Sequence, residues 1–241
     1  MKGVITNVAP ACTVIDLTHQ IPAGDIRAGA FALAASYRFF PKGTVHLAVV
    51  DPGVGSERKA IAARTANYFF VGPDNGVLSL AVEREKVEAI RVLENKAYFL
   101  ASMSQTFHGR DIFAPVAAHL SRGLPIEKLG PAAKDFVRFK WPRPCKKGAA
   151  VQGEIVYVDR FGNAITNLDT ESLRISGKAS AQVFIRGKRL CALAAFYQAA
   201  PPGEPVAVPG SAGFLEIAVN GGNAAECLNL GVGLRVEVRY R

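Results

Sequence analysis

The chain has 241 residues, 49% of them hydrophobic, which is enough to form one large globular domain or two unequal ones. Its apolar runs are far shorter than the roughly 20 residues that span a bilayer, and the first residues lack the apolar segment of a signal peptide, so we expect a cytoplasmic protein without membrane contact. A net charge of +9 admits nucleic acid as a partner, but the scattered positions of the basic residues favour a soluble basic enzyme.

The four cysteines give no sign of a metal site or a disulfide framework. Cys12, Cys145, Cys191 and Cys227 are widely spaced, with no Cys-x-x-Cys pair and no histidine at metal-ligand spacing. We therefore expect reduced, mostly buried thiols and no bound metal.

The first 140 residues alternate between strand-like and helix-like runs. Strands are predicted at 12–18, 44–51, 67–72 and 89–93, and helices at 25–40, 76–85 and 111–123. Asp25 is placed to cap the first of these helices, and Pro41 and Gly43 are placed to end it. The alternation predicts an N-terminal α/β sheet domain with flanking helices over residues 1–140.

From Val151 onward the pattern changes to short β-rich runs separated by glycine and proline. Strands are predicted at 153–159, 181–187, 205–210, 213–222 and 234–240. Their spacing predicts a small antiparallel β-barrel or sandwich over residues 151–241. Residues 141–150, which are rich in proline and lysine, form the predicted linker.

The stretch "VVDPGVGSER" ends an apolar run with Asp51 and returns to Arg58. Ligands of α/β sheets bind beyond the carboxyl ends of strands, where Asp51 is expected, and the intervening glycines let the backbone approach a ligand closely. A turn with a surface ion pair explains the two residues equally well. The motif alone therefore does not decide between a functional and a structural role.

A second motif, "TFHGRDIF", places His108 before a glycine and a predicted helix start. A histidine at such a junction is suited to act as a base, although lone histidines more often serve packing or capping. Asp111 is predicted to cap the following helix. His46 and His119 lie in apolar runs, which predicts structural roles for both.

Two motifs in the C-terminal half carry further polar residues. In "VYVDRFGNAITNL", Asp159, Phe161 and Asn163 can contact an amine, a ring face and a base edge, but the same residues also suit a β-turn. The stretch "GSAGFLEIAVNGGNAAECL" forms either hairpin turns or the rim of a pocket. It offers three polar residues beside glycines, namely Ser211, Glu216 and Asn223.

Five stretches of the chain resemble, in order, the motifs of S-adenosylmethionine hydroxide adenosyltransferases. They are "VVDPGVGSERKAI", "VGPDNGVLS", "TFHGRDIFAPVAA", "VDRFGNAITNL" and "GSAGFLEIAVNGGNAAE". The resemblance extends over the whole chain, and five ordered motifs are far more specific than any one of them. It implies that the protein converts S-adenosyl-L-methionine and water to adenosine and L-methionine, with no cofactor and no metal. The family is related to fluorinating and chlorinating enzymes that attack the same substrate.

The resemblance assigns the hydroxide-forming trio of the family to Asp51, Arg58 and His108. The halogenating relatives have a tyrosine at the position of Asp51, so the trio favours water over halide as the nucleophile. Water, with a pKa of about 15.7, is a poor nucleophile and needs both a held position and a proton acceptor. Neutral His108 is one candidate acceptor, with Arg58 stabilising the developing hydroxide and Asp51 orienting the water or the arginine, and the choice among the three stays open.

The resemblance also implies contacts between the C-terminal domain and the substrate. These are Asp159 at the methionine ammonium, Phe161 and Tyr197 on either side of the adenosine, Asn163 at the adenine edge, Ser211 at the methionine carboxylate, and the backbone of Asn223 and Ala224 at the adenine. Ala212 departs from the Ser-Ser-Gly expected at this point, so a second hydroxyl contact is not implied.

Family members are trimers, with each site built between the large domain of one subunit and the small domain of its neighbour, so we expect a homotrimer with shared sites. In the family, the segment matching Met1 follows a strand and a loop with a Thr-Asp-Phe-Gly motif, whose aspartate grips the ribose hydroxyls. We expect either a longer natural protein or a chain that binds its nucleoside weakly and is less stable than its relatives.

Nucleic-acid binding without catalysis is the alternative from a different class of function. A β-barrel domain and a positive charge suit it, but the barrel residues lack interleaved aromatic and basic side chains for stacking on bases. Binding through phosphates would weaken steeply with salt, whereas adenosine binding would hardly change. A halide-using relative is a further alternative.

Overall fold

The computed structural model describes residues 1–170, 173 and 181–240. The chain divides into two units, Met1–Phe139 and Lys140–Arg241, and each has its own sheet and its own hydrophobic core. Helices and strands occur together, so the fold belongs to the mixed α/β class.

The first unit combines short helices with a small sheet. Its helices are α1 (Lys2–Val8), α2 (Ile26–Ser36), α3 (Ser79–Val82) and α4 (Ala114–Ser121), with 3-10 turns at Tyr37–Phe39, Lys96–Tyr98 and Ile126–Leu129 and a π-helical turn at Gly109–Phe113. Its strands are β1 (Val45–Leu47), β2 (Ala60–Thr65), β3 (Phe69–Pro73) and β4 (Val87–Val92). The strand order is β1-β3-β2-β4, with β1 parallel to β3 and the other pairs antiparallel, so the sheet is mixed. Among the described residues, no helix is both long and apolar enough to cross a membrane.

Helix α2 shows how the local sequence places the segment before Asp51. The Asp25 carboxylate accepts a hydrogen bond of 2.9 Å from the Ala28 amide, so the predicted N-cap is confirmed. The helix is rich in small residues, and a Cβ at Gly29 would lie 2.8 Å from Val50 Cγ2. Glycine therefore lets α2 pack directly against the segment that leads to Asp51.

Parts of the first unit differ from the sequence prediction. Residues 2–8 form α1, which the sequence pattern does not indicate, and Ile5 packs with Ala114 and Ala118 of α4. Residues 12–18, predicted as a strand, form no regular element, and most of them are exposed because their apolar side chains face no core. The strand predicted at 44–51 is regular only over β1.

Antiparallel strands form the second unit. They are β5 (Cys145–Lys147), β6 (Ala150–Val158), β7 (Ala164–Asp169), β8 (Ala181–Ile185), β9 (Lys188–Ala192), β10 (Pro205–Pro209), β11 (Phe214–Val219) and β12 (Arg235–Tyr240), with helix α5 (Ala224–Cys227) and a 3-10 turn at Tyr197–Ala199. The order is β10-β11-β7-β6-β12-β8-β9, and β5 pairs with β6 from within the residues predicted as a linker. A bridge between Leu193 and Ala207 connects the two ends of this order, so the sheet is barrel-like and nearly closed.

The core of the second unit lies on the inner face of this sheet. Its fully buried members include Ile155, Leu168, Leu215, Ile217 and Val238. Side chains alternate between faces along a strand, so Glu216 lies on the face of β11 opposite to this core. Glu216, one of the polar residues that the sequence singled out, therefore lies outside this core.

Candidate active site

The segment that follows β1 is held in place by β3 and the turn after it. The Ala48 backbone pairs with β3, and Gly72 permits this approach, because a Cβ there would lie 2.4 Å from the Ala48 carbonyl oxygen. The Asn75 side chain donates a hydrogen bond of 2.8 Å to the carbonyl oxygen of Val50. The backbone that leads to Asp51 is therefore fixed before the loop begins.

Asp51 and Arg58 form a nearly buried ion pair. The arginine Nε lies 3.0 Å from each carboxylate oxygen, and Nη2 lies 2.5 Å from Oδ2. The side chains are only 4% and 11% exposed, so solvent and salt screen their charges little. The pair is therefore not the surface ion pair that the sequence left open as an alternative.

His108 extends this ion pair into a network of three side chains. Arg58 Nη2 lies 2.9 Å from His108 Nδ1. A guanidinium has only donors, so Nδ1 accepts this hydrogen bond, and the neutral ring then carries its proton on Nε2. Burial, and after it the charge of Arg58, lowers the pKa of His108 and favours the neutral ring. In this arrangement His108 can donate through Nε2 but has no free nitrogen to accept a proton.

Gly55 brings the loop of Arg58 beside the loop of His108. Its φ of 80° lies in the left-handed region, and a Cβ there would lie 2.6 Å from the Gln105 carbonyl oxygen. The Arg58 guanidinium also lies over the Phe113 ring, 5.3 Å from its centroid. A glycine and an aromatic ring thus place the guanidinium next to a histidine that is distant in sequence.

The predicted capping role of Asp111 is wrong. Its side chain is fully buried in the π-helical turn, accepts a hydrogen bond of 2.7 Å from the Ser104 amide, and pairs with Arg110 at 2.6 Å. The hydrogen bond from Arg110 lowers the pKa of Asp111. The carboxylate ties residues 104 to 111 together and so positions His108, instead of capping α4.

The predicted structural roles of His46 and His119 are confirmed. His46 is 4% exposed, and burial lowers its pKa to about 4. His119 packs edge-on against Tyr98, with 5.2 Å between the ring centroids. The rings around His46 are those of Tyr37, Phe40, Tyr68 and Phe70.

In the second unit, Asp159, Phe161 and Asn163 lie in one tight turn between β6 and β7. Asp159 Oδ1 accepts hydrogen bonds from the amides of Phe161 and Asn163 at 2.8 and 2.9 Å, and Oδ2 accepts one from the Asn163 side chain at 3.1 Å. A carboxylate has about four lone-pair positions, so Oδ2 can still accept from a ligand. Phe161 is 61% exposed, with the Arg160 guanidinium 4.7 Å from its ring centroid.

Tyr197 and Glu216 form a polar pair on the outer face of the same sheet. The Tyr197 hydroxyl donates a hydrogen bond of 2.6 Å to Glu216 Oε1, while the tyrosine as a whole is 42% exposed. Glu216 lies opposite Ile165 in the pairing of β11 with β7. Ile165 is two residues beyond Asn163 of the Asp159 turn, and the charge of Asp159 acts on both Tyr197 and Glu216.

The remaining predicted contacts lie in or near neighbouring turns. The Asn223 side chain caps α5 by accepting from the Glu226 amide at 3.1 Å, and a Cβ at Gly162 would lie 1.8 Å from Asn223 Oδ1. Asn223 therefore packs on the Asp159 turn, and the adjacent Ala224 is fully buried. Ser211 is exposed in the turn between β10 and β11, and within the described residues its side chain makes no hydrogen bond to the Asp159 turn.

Matches to family models cover both units. The model of the SAM hydroxide adenosyltransferase N-terminal domain matches residues 1–130, and that of the C-terminal domain matches residues 153–237. The chain belongs to the SAM hydroxide adenosyltransferase family. The resemblance that the five motifs indicate is thereby confirmed.

Named relatives of this adenosyltransferase fall into two groups. It is 41% identical to the (R)-S-adenosyl-L-methionine hydrolase of Thermus thermophilus, over 99% of this chain and 92% of the relative. It is 29% identical to a fluorinase of an Actinoplanes species, over 98% of this chain and 91% of the relative. A solved structure of an uncharacterised conserved protein from Thermotoga maritima is 40% identical and matches with a TM-score of 0.93, covering 99% of this chain and 93% of that one.

Sequence reasoning missed several features around the trio of this adenosyltransferase. Asn75 and Gly55 lie within quoted motifs, but only the structure shows that they fix Val50 and the Arg58 loop. A cavity of about 420 Å³ lies beside Asp51, and the sequence did not indicate that residues 17–19, 21–24 and α2 line part of it. Within the described part of the chain, no group of three His, Cys, Asp or Glu side chains is arranged to hold a metal ion. All four cysteines are free thiols, but the prediction that most are buried is wrong, because only Cys191 is buried.

Proposed function

We propose that the protein hydrolyses S-adenosyl-L-methionine to adenosine and L-methionine. The observation that carries the proposal is the network in which the Arg58 guanidinium joins the buried carboxylate of Asp51 to the neutral imidazole of His108. The name of the relative at 41% identity supports the same reaction. Because that name specifies the R configuration at the sulfonium centre, we take the R epimer as the preferred substrate.

The network positions a water molecule for attack on the ribose 5′ carbon. The His108 Nε2–H group donates one hydrogen bond to the water oxygen, which leaves the second lone pair of the water free for attack. Holding the water in line with the carbon–sulfur bond can lower the activation barrier by up to roughly 7–11 kcal/mol. A general base accelerates the reaction by only roughly 10²–10⁴-fold, which corresponds to a smaller reduction of the barrier. Positioning therefore contributes most to the rate.

Asp51 accepts the proton in this mechanism. As the carbon–oxygen bond forms and the carbon–sulfur bond breaks, the attacking water becomes a protonated alcohol, which is strongly acidic, so a carboxylate is basic enough to take its proton. Asp51 Oδ1 has Nε as its hydrogen-bond donor and keeps a lone pair for this transfer. His108 cannot take the same role while Arg58 occupies Nδ1.

The reaction needs neither a metal nor a cofactor in this proposal. The bonding electrons of the carbon–sulfur bond go to sulfur, and methionine leaves with a neutral thioether, so no Lewis acid has to stabilise the leaving group. The positive charge of the sulfonium disappears in the transition state, and a dry site favours that loss. Excess chelator should therefore leave the rate unchanged.

The second unit supplies the substrate contacts in this proposal. Asp159 holds the methionine ammonium through Oδ2, and Asn163 reads the adenine with its side-chain oxygen, since its amide group already donates to Asp159. The exposed rings of Phe161 and Tyr197 flank the adenosine. The exposed hydroxyl of Ser211 meets the methionine carboxylate, and the backbone beside Asn223 and Ala224 completes the adenine contacts.

Water is favoured over halide as the nucleophile. A buried carboxylate at position 51 repels a halide ion, whereas it accepts a proton from water. The lower identity to the named fluorinase points the same way. Nucleic-acid binding is a weaker alternative, because the exposed aromatic side chains described in the second unit are few, and Tyr197 among them is bonded to a carboxylate.

We also propose a homotrimer acting in the cytoplasm as the active form, on the strength of family membership. Light scattering coupled to gel filtration tests the trimer directly. A fully active monomer would refute it.

The function is tested by incubating the purified protein with each sulfonium epimer and quantifying nucleosides and amino acids by chromatography. We expect adenosine and methionine in equal amounts from the R epimer, with or without chelator and at any chloride concentration. Asp51→Asn is the matched control, since it keeps the side-chain shape and should abolish most turnover. Absence of adenosine, or a chlorinated nucleoside in its place, would overturn the proposal.

A further inference from the structure

Glu216 is a buried acid with one oxygen unused. It is 8% exposed on the outer face of β11, and Oε1 accepts the hydrogen bond from Tyr197. Within the described residues, Oε2 accepts no hydrogen bond. Oε2 keeps access to solvent, and so to a ligand, although the residue as a whole is buried.

A second carboxylate, that of Asp159, lies near enough for its charge to act on Glu216. Asp159 directly follows β6, in the turn that leads into β7, and Glu216 lies opposite Ile165 of β7. Burial raises the pKa of Glu216, and so does the negative charge of Asp159. Neither acid forms an ion pair with a basic side chain in the described part of the chain. The two carboxylates therefore have free oxygens but no positive charge beside them, and a cationic group of a ligand would supply it.

The geometry points to Glu216 as a second binding residue, with Asp159, for the α-ammonium group of the substrate, an inference that rests on the proposed function. An ammonium group has three N–H donors, so it can bond Glu216 Oε2 and Asp159 Oδ2 together. The sulfonium centre has no N–H or O–H donor and is the poorer match for these oxygens. Glu216 thereby selects substrates that carry an amino acid over nucleosides that lack one.

Gly210 preserves the space that this role requires. A Cβ at this position would lie 2.8 Å from Glu216 Oε2 and 3.0 Å from the Phe214 carbonyl oxygen. Any larger residue would push Oε2 away from its present place. The turn that carries Ser211, the proposed carboxylate contact, therefore also leaves room for the acid beside it.

Two non-hydrolysable ligands test the inference. S-adenosyl-L-homocysteine and 5′-methylthioadenosine are both adenosine thioethers, but only the first carries an amino-acid group. We would measure their dissociation constants by calorimetry for the wild-type protein, for Glu216→Gln, and for Glu237→Gln as a matched control. Glu237 lies on β12, where it bonds to Gln152 and Arg239.

Glu216→Gln should weaken the binding of S-adenosyl-L-homocysteine by about ten- to a hundredfold, the usual effect of losing a hydrogen bond to a charged group. It should change the dissociation constant of 5′-methylthioadenosine by less than about twofold. Glu237→Gln should change neither. Gly210→Ala displaces Oε2 without altering the acid and should show the same selective loss, so the inference stays testable if the glutamine variant fails to fold. Equal losses for both ligands, or no loss for either, would overturn the inference while the proposed function stands. If the wild-type protein bound neither ligand, both the inference and the proposed function would be contradicted.

Discussion

Arg58 Nη2 lies 2.9 Å from His108 Nδ1, and the same guanidinium holds Asp51 through Nε and Nη2. Arginine stays protonated in proteins, so the Nδ1 lone pair of His108 is occupied and the ring proton is on Nε2. A histidine that acts as a base needs a free nitrogen. In the proposed mechanism, His108 is therefore a hydrogen-bond donor to the nucleophile, and the Asp51 carboxylate accepts the proton.

His108→Asn should retain more activity than His108→Ala. The asparagine side-chain oxygen can accept from Arg58 much as Nδ1 does, so the guanidinium keeps its place. Losing a hydrogen bond to a charged group changes an equilibrium or a rate by about ten- to a hundredfold. We expect kcat to fall by this factor in the alanine variant and by less in the asparagine variant. Adenosine affinity should change little in either variant. If both variants lost the same factor of a thousand or more, His108 would be the base and this assignment would be wrong.

Activity should fall only at pH values below the ordinary histidine pKa of 6.5. Burial and Arg58 lower the pKa of His108, so the neutral ring persists through neutral pH and protonation needs more acid. Protonating Nδ1 would break its contact with Arg58. We expect a flat kcat/KM between pH 8 and 6.5 and an acid limb below it. In His108→Asn this limb should shift or vanish, and an identical limb would argue against His108 as its source.

His46 should make the fold sensitive to acid. Its pKa falls from 6.5 in the unfolded chain to about 4 in the folded one, so the unfolded state binds more protons between these values. The contribution to stability is complete above pH 6.5 and is lost as the pH falls toward 4, by up to about 3 kcal/mol. His46→Phe should remove this part of the acid sensitivity, measured as the free energy of unfolding in urea at pH 7 and 4.5. The exposed His19→Gln is the control, and equal acid sensitivity in all three proteins would refute the prediction.

Gly55→Ala should reduce activity, whereas Gly43→Ala should not. Both glycines have positive φ, 80° and 85°, so each alanine variant carries backbone strain of about 1–2 kcal/mol. Only Gly55 also faces an obstacle, the Gln105 carbonyl oxygen at 2.6 Å, while Gly43 has nothing within 4 Å. We expect both variants to lower the thermal midpoint and Gly55→Ala alone to lower kcat/KM. Similar kinetics for the two would mean that this contact does not position the Arg58 loop.

The helix α2 and most strands of the second unit could be predicted from the sequence, because capping, helical spacing and alternation are local signals. The helix α1 and the irregular residues 12–18 could not, since burial depends on which distant elements cover a segment. The strand β5 was not predicted, because the prolines and lysines around it indicate a linker. Asp111 suited a cap by position, but its burial against Ser104 and Arg110 depends on the loop conformation.

The proposed active-site trio could be found from the sequence only through the ordered motifs of the family. No periodicity links Asp51 to His108, and their proximity depends on Gly55, Phe113 and the Asp111 contacts. Glu216 shows the opposite case. Its sequence context allowed a turn or a pocket rim, and only the structure shows the free Oε2 and the nearby charge of Asp159 that support the proposed binding role.

The most direct test of the account is to follow the oxygen atom of water. We would incubate the protein with the R epimer of S-adenosyl-L-methionine in water enriched in ¹⁸O and analyse both products by mass spectrometry. Attack at the ribose 5′ carbon predicts one ¹⁸O in the 5′-hydroxyl of adenosine and none in methionine. Label in a methionine-derived product such as homoserine, or adenosine without label, would contradict attack at the 5′ carbon and with it the proposed mechanism.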